Sequence, residues 1–191
     1  MYRHYSARVG VDTHYHRICK RHLRLLGELE SNLEALKKKH PSEFEAYPEY
    51  SELTEEAEEC SSIVIVFAAM CLEAFIYDYG AVHTSDSYME NYVDKLSPVA
   101  KWVVVTKLVT GKDFPTDSQA FQMLRTLMKA RNDMVHFKSF DVPVDDLKKL
   151  QKLMNKAPII SAQDAFKAIS LVMIELEKLD PGYGKTVVYL R

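Results

Sequence analysis

SSIVIVFAAMCLEAFIYDYG, Ser61 to Gly80, is the stretch that decides the fold. Its apolar residues do not keep to one stripe but cover every side of a helix. Such a helix belongs in the centre of a bundle or between protomers. The longest apolar run, Ile63 to Tyr77, is interrupted by Glu73 and is short of the ~20 residues that cross a bilayer comfortably. It reads as a buried core helix, with no membrane association expected. The helix is predicted from about Ser51 to Tyr79. It opens with Glu52, Glu55, Glu56, Glu58 and Glu59, where carboxylates suit the positive end of the helix dipole, and Gly80 marks its end.

Upstream, Leu23, Leu26, Leu29, Leu33 and Leu36 recur every three or four residues and predict a first helix from near Asp12 to Lys37-Lys38-Lys39. Arg17, Lys20, Arg21 and Arg24 crowd its first half, as a solvated face or as an RNA-contacting one. Pro41 and Pro48 bracket an acidic connector. Downstream, Ser85 to Leu96 reads as a short connecting helix. Ser97-Pro98 then caps a helix through Trp102 and Leu108 that stops at Gly111. Thr116-Asp117-Ser118-Gln119 has capping-box spacing and starts the next helix. After Phe140 come a loop with Pro143, a short helix with Lys148, Lys149 and Lys152, and Pro158. Ser161 and Asp164 then cap a final helix that aligns Phe166, Ile169, Met173 and Leu176. The tail, Thr186 to Leu190, is predicted as a lone strand.

These elements predict an all-α protein, an antiparallel up-and-down bundle of four-helix type with short accessory helices. The 191 residues suit one domain, 1–191, comprising a basic N-terminal helix in 1–40 and a C-terminal tail in 181–191. The composition, 47% hydrophobic with 27% charged, is that of a folded soluble chain, and six glycines leave little room for turn-rich β structure. A net charge of -2 exerts no global pull on nucleic acid, so any RNA binding must come from a local patch. Cys19, Cys60 and Cys71 are odd in number and lack metal-ligand spacing, and no signal peptide precedes them; a reducing cytoplasm fits.

The chemistry gathers in Arg131-Asn132-Asp133-Met134-Val135-His136, an arginine and a histidine separated by four residues. An arginine and a histidine suffice for metal-free RNA cleavage. The imidazole moves the ribose 2′-hydroxyl proton near neutral pH, and the guanidinium neutralises charge building up on the phosphate. On an ideal helix Arg131 falls in the middle of an apolar half made by Ala120, Phe121, Met123, Leu124, Leu127, Met128, Ala130, Met134 and Val135. A guanidinium there needs a carboxylate or a phosphate. Glu73, flanked by Ala69, Met70, Ile76 and Tyr77, is the matching lone charge. A hydrogen-bonded Glu73–Arg131 pair would either orient the arginine for function or be purely architectural, and spacing does not separate the two.

His136 lies about 140° round the helix from Arg131 but about 40° from Asn132. Asn132 is thus placed to hydrogen-bond the imidazole, with Arg125 and Lys129 adding positive charge on that side. Spacing equally allows an ordinary helix C-terminal histidine held by the dipole. Divergence of Arg131 from His136 points to a cleft between two copies, or to a distortion near Asp133.

At these residues the chain resembles the HEPN superfamily, whose signature is an arginine, a polar residue, a few more residues and a histidine. Arg131, Asn132 and His136 match it, RNDMVHFK is close to a form common in bacterial members, and LEAFIYD, Leu72 to Asp78, is similar to their second-helix segment. The likeness covers roughly residues 50 to 180 in helix order. It implies a dimerising helical bundle with motifs from both protomers in one cleft, acting without cofactor or metal. Many members are endoribonucleases that serve as toxins, in antiphage defence or in RNA processing; others are non-catalytic binding modules. By this resemblance His136 is the acid/base group, Arg131 the phosphate and transition-state group, and Asn132 the orienting residue. Arg125, Lys129 and Lys138 are the RNA-binding candidates, and Glu73 the support.

The expected function is therefore a metal-independent endoribonuclease, a homodimer with an RNA substrate and an antitoxin or defence-complex protein as partner. DNA is not expected as a substrate. The alternative is a non-catalytic module of the same fold, which the near-neutral charge favours. GYGKT, Gly182 to Thr186, lacks the first glycine of a phosphate loop and follows a helix instead of opening one. His14, His16 and His22 lack a completing ligand and read as surface histidines.

Overall fold

Pro48, whose missing N–H costs nothing at a first helical position, opens the longest element, a 36-residue helix to His83. In this computed structural model, which describes residues 10–136 and 158–182, every regular element among the described residues is helical. In chain order these are α1 (Asp12–Lys39), a 3-10 turn (Phe44–Ala46), α2 (Pro48–His83) and α3 (Asp86–Tyr88), which runs into a π-helical turn (Met89–Val93). Then come α4 (Pro98–Thr110), α5 (Gln119–Val135) and α6 (Ala162–Leu179). The all-α expectation holds over these residues. The Lys148 to Lys152 helix and the Thr186 to Leu190 strand lie outside them.

α2 is central because its second half has apolar residues on every side and each side meets a neighbour: α1, α4, α5 and α6 all pack on it. Val64, Ile65, Ala68, Leu72, Phe75 and Ile76 are buried. An 18-residue window of α2 has a mean hydropathy of 2.1, apolar enough by composition to cross a membrane, and half of that window is buried inside the protein. α1 runs antiparallel to α2: the Cys19 thiol donates to the Val64 carbonyl at 3.6 Å and the Cys71 thiol to the Asp12 carbonyl at 3.4 Å. Leu26, Leu29 and Leu36 are buried along the seam, whereas Arg17, Lys20, Arg21 and Arg24 are exposed.

Between α2, α4 and α5 the core is aromatic. Trp102 stacks on Phe75, with ring centres 5.9 Å apart, and meets the edge of Phe114 at 5.7 Å. Local caps behave as their residue types dictate. Ser97 and Ser161 accept from the N–H groups of Ala100 and Asp164, and Gly111 closes α4 with φ of 71°, a left-handed conformation that suits glycine.

Four local expectations are corrected. α5 is capped by Ser118, which accepts from the Phe121 N–H at 3.2 Å, two residues later than the Thr116 capping box implied. The helix expected over Ser85 to Leu96 is a three-residue helix and a π turn. Gly80 does not end α2. It lies inside the helix, where a Cβ would meet the Met89 sulfur at 2.6 Å and Val105 at 3.0 Å, so its service is close approach of α4 and the π turn. His16 is no surface histidine. Its ring is buried and stacks on Phe166 of α6, with centres 5.1 Å apart. Burial first, and Lys20 second, hold its pKa below the ordinary histidine value.

Candidate functional site

α5 ends at Val135, inside the motif. His136 has left helical geometry, with φ of -107°, and its backbone N–H caps the helix by donating to the Asn132 carbonyl at 3.0 Å. One turn earlier, Arg131 projects beside buried Leu127 and Ala130 toward α2, with its side chain 25% exposed. The partner that its apolar setting demanded is Glu73, Nη2 to Oε2 at 3.6 Å. At that length the contact is an ion pair without the expected hydrogen bond. The guanidinium instead donates from Nη1 to the Asn132 side-chain oxygen at 2.9 Å. Asn132 therefore orients Arg131, where the sequence suggested the imidazole.

The residue that sequence reasoning missed is Lys101. Its side chain is 5% exposed, and its ammonium donates to Asp94 Oδ1 at 3.1 Å and lies 3.7 Å from Glu73 Oε1. The Tyr77 ring centre is 6.0 Å away. The signal was available: Lys101 is the lone charge between Pro98 and Thr106, the same criterion that singled out Glu73 and Arg131. Asp94, Lys101, Glu73 and Arg131 thus form a row of alternating charge contributed by the end of the π turn, α4, α2 and α5. An ammonium so little exposed is tolerated only because two carboxylates meet it.

This row lines a cleft of about 350 Å³ walled by Val11, Tyr15, Met70, Ala74 and Tyr77, with Asp78 also at its edge. Three carboxylates face two cations in the lining. His136 and Asn132 do not line the cleft, and both are exposed, as are Arg125 and Lys129 on the outer face of α5. Among the described residues, then, Arg131 lines this cleft and His136 does not. Lys138 lies outside the described residues.

Two of the three thiols are poor nucleophiles. Burial pushes the Cys19 thiol up to about 12. Cys60 is raised by burial and by the carboxylates of Glu56 and Glu59. Thiolate chemistry is disfavoured at both. No group of three histidine, cysteine or carboxylate residues gathers for a metal ion among the described residues. No protein-family model, curated protein or solved structure matches the chain.

Proposed function

We propose that the chain is a HEPN-like, metal-independent endoribonuclease whose working site is completed by a second copy. The observation that carries this reading is Arg131. It is partly exposed at the edge of a cleft, held in orientation by Asn132, and joined to Glu73 without the hydrogen bond that would consume it. Such a guanidinium has N–H donors left for phosphate oxygens.

In the reaction, His136 takes the proton from a ribose 2′-hydroxyl as its oxygen attacks the adjacent phosphorus. Arg131 neutralises the charge that grows on the non-bridging oxygens. The P–O5′ bond breaks, and the departing oxygen receives a proton. A 2′,3′-cyclic phosphate and a 5′-hydroxyl end remain. Because His136 is off the Arg131 cleft of its own chain, the reading takes the imidazole and the guanidinium from a two-copy arrangement. It also takes the helices as an up-and-down bundle acting in the cytoplasm, as a toxin or in antiphage defence, under a protein antitoxin or complex subunit.

A second reading is a non-catalytic interaction module of the same fold. It is favoured by the three carboxylates in the cleft lining, which oppose polyanion entry. Incubation of the purified chain with total RNA, followed by end-group analysis, separates the two. The first reading expects cyclic phosphate ends, lost in His136→Ala and Arg131→Ala proteins that remain folded and associated. Cutting that survives in His136→Ala ends the first reading, and a wild-type protein inert on every RNA pool favours the second.

A further inference from the structure

Glu73 is shared. Its two oxygens face different cations, Oε1 toward Lys101 at 3.7 Å and Oε2 toward Arg131 at 3.6 Å, and neither contact is short enough to be a hydrogen bond. A lone carboxylate facing a lone guanidinium at the edge of an apolar cleft would close onto it as a two-point hydrogen-bonded pair, the geometry that carboxylate and guanidinium favour. Lys101 opposes that closure from the other side. It is anchored by its 3.1 Å bond to Asp94, and with a side chain only 5% exposed it relies on the two carboxylates in place of water.

We infer that Lys101 is a positioning residue that holds Glu73 back from Arg131 and so keeps the guanidinium oriented yet available to a phosphate. The inference deepens the endoribonuclease reading and rests on it for the identity of the anion. The competition among the four charges is testable without RNA. Asp94, with a side chain 58% exposed, is the outer anchor of the row. Removing Lys101 lets Glu73 move toward Arg131. Weakening Asp94 throws Lys101 harder onto Glu73 and frees Arg131. The two substitutions therefore act in opposite directions, which a simple packing role for Lys101 does not produce.

The experiment uses the full chain, with the Arg131 guanidinium N–H groups followed by NMR, first alone and then during titration with inorganic phosphate. Lys101→Met is expected to slow exchange and rotation of these groups about tenfold in the absence of any ligand and to weaken phosphate binding about tenfold. Lys101→Arg keeps the wild-type values, and Asp94→Asn speeds exchange. Unchanged Arg131 exchange in both Lys101→Met and Asp94→Asn overturns the inference. So does a wild-type Arg131 that does not respond to phosphate. If Lys101→Met fails to fold, the sign of the Asp94→Asn effect decides alone: faster exchange supports the relay, and equal or slower exchange overturns it. RNA cleavage is scored on the same samples. A wild type that shows the Arg131 responses but never cuts RNA removes the endoribonuclease reading and leaves the positioning role standing.

Discussion

The aromatic core and the ionic cleft lie on different faces of the same two helices. Phe75 of α2 and Trp102 of α4 stack in the dry interior, while their near neighbours in sequence, Glu73 and Lys101, turn into the cleft. Adjacent residues on a helix diverge by about 100°, so Lys101 and Trp102 can sit side by side in sequence and in opposite environments in space. The dry face is held by area and shape, and so it is tolerant of where its atoms come from and sensitive to how much volume they fill. The cleft face is held by a row of charges, each of which depends on the next.

Emptying the dry face has the largest expected effect. Trp102 is fully buried between Phe75 and Phe114, and Trp102→Ala should cost ~3–5 kcal/mol in urea unfolding through lost contacts and the cavity left behind. Trp102→Phe should cost clearly less, since the indole N–H has no hydrogen-bond partner to lose. Equal costs for the two would mean that the indole N–H does hold the core.

The cleft face should break next. Glu73→Ala strips one of the two anions from the Lys101 ammonium, leaving Asp94 alone to meet it. An expected loss of ~1–3 kcal/mol follows, again in urea unfolding. Glu73→Ala combined with Lys101→Met should recover part of that loss, because the least exposed charge of the row, the Lys101 ammonium, is no longer left short of an anion, and a simply additive double mutant would refute the coupling.

A smaller effect distinguishes the faces by pH. His16, on the dry side against Phe166, has a folded-state pKa below its unfolded value. The unfolded chain therefore binds the proton first, and stability declines as pH falls through about 6.5, continuing down to the folded pKa. Thermal melts of His16→Phe between pH 7.5 and 5.5 should show a shallower decline than wild type; an identical slope assigns the acid sensitivity elsewhere. The smallest effect belongs to the outer surface. Arg24 and Glu28 pair at 3.8 Å with side chains 79% and 63% exposed, so Arg24→Ala should shift stability by no more than about 0.5 kcal/mol in the same unfolding assay.

Much of the helical order was legible residue by residue, because caps and stripes are local. Ser97 before Pro98, Ser161 with Asp164 and Gly111 after α4 behave as their chemistry says, since each answers to groups within a turn of itself. Glu73 and Arg131 could be matched for a similar reason: a lone charge in an apolar run must find a partner. Lys101 satisfies that rule too, but the long stem of a lysine usually carries its charge out to water, so only its 5% exposure shows that it needs carboxylate partners. Gly80 and His16 depart from their local reading for another reason. A glycine near the end of an apolar run and a histidine on a basic stretch have ordinary local meanings. Met89 and Val105 against the first, and Phe166 against the second, are distant in the chain and override them.

By itself the sequence determined that α2 must be buried by other helices, where α1 and α4 start and stop and where α6 starts, and that Arg131 could not stand without an anion. These follow from side-chain hydrophobicity and from backbone groups that need partners nearby. Only the tertiary structure decided that Glu73 serves two cations at once, that Lys101 lies between Glu73 and Asp94, and that His136 does not line the cleft that Arg131 enters. Those outcomes depend on the angles at which α2, α4 and α5 meet, and a contact between helices is set by the packing of all of them together.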